Sequence, residues 1–164
     1  MKAIITYPIT LSTHGKYKMF NKKMLAVKEL IEKHWEHITA GFDLRTSDLV
    51  VRLRPLPRRT TNGTAYNKLN LIQLDISRPI RYVIKTLMHE LTHMEQFNTG
   101  RLSSKMVGIR QMDKWNDDEW VCSKGFGSTE QSMKAYRNQP WEVEADERQE
   151  TELKRLEGLI GEIK

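Results

Sequence analysis

Apolar side chains recur at three- and four-residue spacing over two long stretches of this chain, as they do along one face of an amphipathic helix. The pattern predicts a first helix over residues 18–40, which Gly41 ends. A second helix is predicted after Ser77, a residue type that caps helices, with Pro79 in its first turn and Gly100 closing it. The broad apolar face of this second helix, which predicts burial, consists of Ile80, Val83, Ile84, Leu87, Met88, Leu91 and Met94.

Between these helices, two segments alternate apolar and polar side chains, which predicts β-strands. They span residues 49–56 and 69–76, and a turn region separates them. The turn signals are Pro55, Pro57, Asn62 and Gly63. We expect the two strands to pair antiparallel, because a parallel pair needs a crossover of about a dozen or more residues, usually helical.

The remainder of the chain combines an irregular segment with helical sequence. Residues 101–127 show the least regular pattern. Ser128 and Gln131 match a capping box that opens a short helix, and Pro140 starts a last helix that runs toward Ile163. The sequence therefore predicts one α+β domain that spans the whole chain. In it, a small antiparallel sheet packs with an N-terminal helix, the second predicted helix and a long C-terminal helix.

The composition is that of a globular protein. Hydrophobic residues make up 38% and charged residues 29% of the 164 residues, which excludes a disordered chain. Cys122 is the only cysteine, so an intramolecular disulfide is impossible. The apolar run at residues 3–5 is shorter than the ~7–15 residues of a secretory signal, and no segment approaches the ~20 residues that cross a bilayer. We therefore expect a soluble, cytoplasmic protein that makes no membrane contact.

Positive charge leaves two interpretations of the partner open. The formal net charge of +6 fits a polyanionic partner, but it also improves solubility. The densest basic stretch contains Arg52, Arg54, Arg58 and Arg59. This stretch could bind nucleic acid or an acidic protein, but such strand faces and turns are more often simply solvated. A nucleic-acid partner is therefore considered but not favoured.

The candidate chemistry lies on the second predicted helix, in the segment His89-Glu90-Leu91-Thr92-His93. Residues four apart share one face of a helix, so both imidazoles can bind one metal ion. Glu90 is rotated toward the rim, where it can reach a water molecule that the metal activates. This His-Glu-x-x-His pattern is a signature of zinc metallopeptidases, and Zn²⁺ is the cofactor that it predicts. The alternative is that the same groups lie on a solvated helix face.

A catalytic zinc ion usually takes three protein ligands, so the pattern requires a third one. No histidine follows His93, and Cys122 would be a less usual ligand in this setting. A downstream carboxylate is the best remaining choice. Glu142 and Glu144 open the last predicted helix, although acidic residues are also common there because of the helix dipole.

The segment from His89 to Asp146 resembles the gluzincin clan, the thermolysin-like zinc peptidases. The resemblance is carried by the His-Glu-x-x-His pattern followed by Glu142-x-x-Ala145-Asp146. It implies that Glu142, rather than Glu144, is the third ligand, and that Asp146 supports His89. Such a partner fixes the tautomer and orientation of a ligating imidazole. The resemblance covers no other part of the chain, whose short length is similar to that of minimal gluzincins.

The predicted function is therefore zinc-dependent hydrolysis of a peptide or protein substrate, with Glu90 as general base. Tyr136 and Arg137 lie just before the last helix and are candidates to donate hydrogen bonds to the oxyanion. In the clan, a strand edge near the metal helix aligns extended substrate. The competing hypothesis is a non-catalytic module that binds protein or nucleic acid and contains a structural metal. Glu90 argues against it, because a structural site needs no general base.

Overall fold

Helices and strands are mixed along the chain in the computed structural model, which describes residues 2–6, 15–45, 48–56, 62–108, 110–119, 121–122 and 130–163. The helices are α1 (Gly15–Thr39), α2 (Ile80–Asn98), α3 (Glu130–Arg137) and α4 (Pro140–Ile160). The strands are β1 (Lys2–Thr6), β2 (Asp48–Arg54), β3 (Gly63–Tyr66), β4 (Leu71–Asp75), β5 (Leu102–Val107), β6 (Arg110–Trp115) and β7 (Val121–Cys122). The prediction of an α+β fold is confirmed.

The larger sheet contains four strands in the order β1-β2-β4-β3. β1 pairs parallel with β2, and β2 pairs parallel with β4, whereas β3 pairs antiparallel with β4. The predicted antiparallel pairing of the segments that form β2 and β4 is therefore wrong. The reason is β3, which the sequence analysis left within the connection. β3 forms a hairpin with β4, and the chain between β2 and β4 is long enough to return for a parallel alignment.

One face of this sheet forms the core with the helices. Leu49, Val51 and Leu53 of β2 are buried, and they pack in one hydrophobic cluster with residues of α1, α2, β4 and α4. The intervening Arg52 is exposed, in agreement with the solvated strand face that the sequence favoured. Arg58 and Arg59 lie outside the described residues.

The segment over 101–127 is more regular than predicted, because it contains a second, three-stranded sheet in the order β5-β6-β7. Both of its pairings are antiparallel. The outer half of β5 is exposed, so its apolar residues do not alternate with polar ones in the way that reveals a strand. The capping box predicted at Ser128 and Gln131 lies outside the described residues and side chains, and α3 follows directly.

The start of α2 differs from the prediction. Pro79 occupies the N-cap position, and no side chain caps the helix, so the predicted N-cap role of Ser77 is wrong. The Ser77 N–H and hydroxyl instead donate to the carboxylate of Asp75, at 2.9 and 2.7 Å, which fixes the turn from β4 into the helix. Among the described helices, none combines the length and the apolar content that a bilayer crossing requires.

Candidate metal centre and cleft

Two helices bring three potential metal ligands together. His89 and His93 lie on successive turns of α2, and Glu142 lies in the first turn of α4. One ligand atom from each of the three residues lies within 4.8 Å of the other two. Nε2 of His89 is 3.1 Å from Nε2 of His93. Oε2 of Glu142 lies 3.5 Å from Nε2 of His89, and Oε1 of Glu142 lies 3.3 Å from Nε2 of His93.

The separation of these atoms fits a tetrahedral zinc ion. Ligands bound at about 2.0–2.1 Å in a tetrahedron lie about 3.3 Å from one another. The two nitrogens are 3.1 Å apart, and each lies 3.3 or 3.5 Å from one of the two carboxylate oxygens of Glu142, so these separations are close to that value. Two imidazoles and one carboxylate are also a donor set that catalytic zinc sites use, with the fourth position left to water or substrate. The residues present therefore fit the metal that the motif predicts.

Asp146 lies behind His89, as the resemblance implies. Its Oδ1 is 3.2 Å from Nδ1 of His89. An imidazole that donates Nδ1–H to this carboxylate directs the lone pair of Nε2 toward the cluster, which is the tautomer that a metal ligand needs. The position of Asp146 one turn after Glu142 brings both side chains to the same face of α4.

Gln96 performs the corresponding task for His93, and the sequence analysis missed it. Oε1 of this completely buried side chain is 2.8 Å from Nδ1 of His93. Its Nε2 donates to the carbonyl of Trp141 at 3.0 Å. Because a carbonyl can only accept, the amide orientation is fixed, and Nδ1 of His93 must carry the proton. The available signal was the position of Gln96 three residues after His93, on the same helix face.

Opposite charges meet in this cluster. Burial alone would lower the pKa of His89, but hydrogen bonds to Asp146 and Glu142 outweigh it and raise that pKa to about 10. Burial would raise the pKa of Glu142, but hydrogen bonds from His89, His93 and Tyr136 outweigh it and lower that pKa to about 2. Without metal, the cluster at neutral pH therefore contains an anionic Glu142 and at least one imidazolium.

Glu90 lies beside the ligands and faces β3. The backbone N–H of Ala65 donates to its carboxylate. Gly63 passes so close that a Cβ atom there would lie 2.9 Å from Oε1 of Glu90. Burial raises the pKa of Glu90, although the neighbouring His89 and His93 oppose the shift. A raised carboxyl pKa suits a group that must both accept and release a proton near neutral pH.

Tyr136 and Arg137 occupy different positions relative to the cluster. The Tyr136 hydroxyl donates to Oε1 of Glu142 at 2.6 Å. Burial and the nearby Glu142 raise the pKa of Tyr136, so its hydroxyl stays protonated. In this conformation Tyr136 orients the carboxylate of Glu142. Its predicted oxyanion role would require the hydroxyl to leave Glu142, so that role stays a prediction. Arg137 is exposed and lines the adjoining cleft.

The alternative ligands have other positions. Both carboxylate oxygens of Glu144 accept hydrogen bonds from Nη1 of Arg101, at 2.6 and 2.8 Å. One of them also accepts from Nε2 of Gln96 at 3.2 Å. Glu144 therefore belongs to an ion pair with Arg101 rather than to the cluster of candidate ligands. The side chain of Cys122 lies outside the described residues.

The cluster lines an open cleft of about 1520 Å³. Its lining includes all of β3, the following 3-10 helix (Asn67–Leu69) and part of β5. Among the described strands of the larger sheet, β3 lies at the edge, and all four of its residues line the cleft. The volume exceeds the ~300–1,000 Å³ of typical small-molecule pockets. The cleft therefore has room for several residues of an extended peptide.

Comparison with known proteins adds no assignment. No family model, no curated protein and no solved structure matches this chain.

Proposed function

We propose that this protein is a zinc-dependent metallopeptidase of the gluzincin type, with His89, His93 and Glu142 as metal ligands. The strongest support is the convergence of two imidazole nitrogens and the Glu142 carboxylate at close to tetrahedral spacing, with a buried Glu90 directly beside them. When bound, a zinc ion supplies a Lewis acid that activates water and polarises the carbonyl of the scissile peptide.

The protein's own groups hold the reactants and move the proton. Glu90 accepts a proton from the attacking water and then delivers it to the amine that leaves. The N–H of Ala65 keeps this carboxylate in place. The edge of β3 that faces the cleft offers backbone groups to which an extended substrate can pair. Asp146 and Gln96 fix the two imidazoles, so that the ligand atoms are oriented before the metal arrives.

Burial of Glu90 favours catalysis over the non-catalytic alternative. Burying a carboxylate costs free energy. The residues around Glu90 compensate this cost only in part, because the pKa of Glu90 is still raised. A protein that merely holds a structural metal gains nothing from this group, whereas a peptidase needs it as general base.

The decisive experiment is the variant Glu90→Gln. It should fold and bind zinc like the wild type, while peptide turnover falls by about 10²–10⁴-fold, because glutamine cannot accept the proton. Zinc content by elemental analysis and hydrolysis of a broad peptide library, with and without chelator, measure both properties. Glu147→Gln, an exposed acidic position on α4, is the matched control and should leave turnover unchanged. Turnover that survives Glu90→Gln with zinc in place would refute the role of Glu90. A wild type that cleaves nothing would favour the binding module.

We also propose a cytoplasmic location. A single cysteine suits a reducing compartment, in which disulfides do not stabilise proteins. Recovery of the protein outside the cytoplasm in a cell fractionation would contradict this location.

A further inference from the structure

Positive side chains surround the cleft on several of its walls. Lys68 lies on the 3-10 helix, Lys105 on β5 and Arg137 at the end of α3, and all three are exposed. Lys85 of α2 also lines the cleft and pairs with Glu150. The cleft therefore carries positive side chains on four different elements, one of which is the helix of the candidate metal centre.

Fewer negative than positive side chains are exposed among the described lining residues of the cleft. Of the carboxylates that line the cleft, Glu90 and Glu142 are buried in the candidate metal centre, whereas Asp146 is half exposed, pairs with His89 and interacts with Arg137. The other is Asp113, which is 3% exposed. It accepts hydrogen bonds from the Ser104 hydroxyl at 2.5 Å and from Nε2 of Gln111 at 3.0 Å. Among the described lining residues, the rim thus attracts anions.

Large apolar side chains lie between these cations. Tyr66, Leu69, Tyr82 and Met106 are 40%, 67%, 45% and 64% exposed, and all of them line the cleft. Exposed apolar side chains that are grouped and rimmed by polar ones mark a surface that another molecule covers. The occupant should therefore offer apolar side chains as well as negative charge.

We propose that the substrate is an extended acidic peptide, with apolar side chains near the scissile bond and Asp or Glu at outer positions. This inference rests on the proposed peptidase function and names its substrate class. A peptide matches the cleft because the edge of β3 offers backbone hydrogen bonds to an added strand. A nucleic acid matches it less well, because its evenly spaced phosphates would also approach the carboxylates of Glu90 and Glu142.

The test uses zinc-loaded Glu90→Gln protein and three fluorescent decapeptides that share an apolar centre and carry Glu, Gln or Lys at outer positions. Anisotropy should show the Glu peptide binding about tenfold more tightly than the Gln peptide at low salt, since two exposed pairs contribute modestly. This advantage should shrink as ionic strength rises. Adding Lys68→Gln and Lys105→Gln should reduce it to less than about threefold. Lys33→Gln with Lys154→Gln, exposed positions outside the cleft, removes the same charge and should preserve it.

Three results would overturn the acidic specificity. The first is equal binding of the Glu and Gln peptides. The second is loss of the preference in the control pair of substitutions as complete as in the rim pair. The third is tighter binding of a single-stranded oligonucleotide than of the Glu peptide at the same rim. Cleavage by the wild type separates this inference from the proposed function. Equal cleavage of all three peptides contradicts the specificity but supports a peptidase, whereas tight binding of the Glu peptide without any cleavage contradicts the peptidase.

Discussion

The variant Gly63→Ala tests whether β3 passes directly over the proposed general base. A Cβ atom at this position would lie 2.6 Å from Cγ2 of Thr86 and 2.9 Å from Oε1 of Glu90. Ordinary contacts between heavy atoms are about 3.5–4.0 Å, so either the side chains of Thr86 and Glu90 or the strand itself must move by on the order of 1 Å. Overpacking of this kind typically costs about 1–3 kcal/mol of unfolding free energy.

The same displacement should also lower the rate of catalysis. A misplacement of about 1 Å at a reacting group can cost about 10²-fold in rate. We therefore expect a urea midpoint that corresponds to a loss of about 1–3 kcal/mol, zinc content near that of the wild type, and peptide turnover reduced by about 10²-fold. Equilibrium unfolding, elemental analysis and hydrolysis of a peptide cleaved by the wild type measure the three quantities.

Two comparisons isolate the contact. Gly158→Ala lies within α4, and no described atom comes within 4 Å of its added Cβ, so it should stabilise the protein by up to about 1 kcal/mol without changing turnover. Thr86→Ser removes Cγ2 but keeps the hydroxyl that donates to the Tyr82 carbonyl. Combined with Gly63→Ala, it should restore part of the stability while turnover stays low, because the contact with Glu90 persists. Wild-type stability and turnover in Gly63→Ala alone would refute the described packing.

Three further predictions concern the metal. Glu142→Ala should lose zinc, whereas Glu144→Ala should retain it, as elemental analysis will show. Gln96→Leu should weaken zinc binding by about 10–100-fold in a competition titration, because His93 loses the partner that fixes its ring. Zinc binding near pH 7.5 should release at least one proton per ion, because the pKa of His89 is raised to about 10 and a ligating imidazole must be neutral. Zinc affinity should therefore rise with pH up to about 10, and calorimetry in buffers of different ionisation enthalpy measures the proton.

Each of the three predictions about the metal can be contradicted by a specific result. Full zinc in Glu142→Ala together with its loss in Glu144→Ala would transfer the ligand role to the second glutamate. Gln96→Glu retains an oxygen that can accept from Nδ1 of His93, so it should bind zinc better than Gln96→Leu. The reverse order would mean that Gln96 acts only by filling space. Zinc binding that releases no proton near pH 7.5 would contradict the charged cluster.

Helices with one clean apolar face could be predicted from the sequence, whereas strand order could not. In α1, Val27, Ile31 and Ile38 are fully buried and recur at helical spacing, so the pattern alone defines the helix. β1 is a short strand, and its pairing with β2 joins residues that lie on opposite sides of α1. Local periodicity contains no information about such a distant partner, and it also did not reveal β3, on which the parallel arrangement depends.

The site was predictable where its residues follow one another at helical spacing. His89 and His93, with Glu90 between them, form a pattern that the sequence displays, and Glu142 follows from the resemblance. Gly63 looked like an ordinary turn residue, yet its neighbours are Thr86 and Glu90, more than one element away. Position 63 needs a residue without a Cβ because β3 packs closely on α2, and a single sequence does not show this packing.

The two halves of the candidate metal centre flank the smaller sheet in sequence. An ion that binds His93 and Glu142 closes the chain between them into a loop, and thereby reduces the freedom of the unfolded chain much as a disulfide would. The segment between these two ligands connects α2 to α4, and its strand β5 contributes to the lining of the cleft. A different hairpin inserted there would reshape that wall while both helices kept their mutual packing. If the proposed function is correct, such an arrangement lets substrate preference change by exchange of one segment, while the candidate metal ligands stay in place.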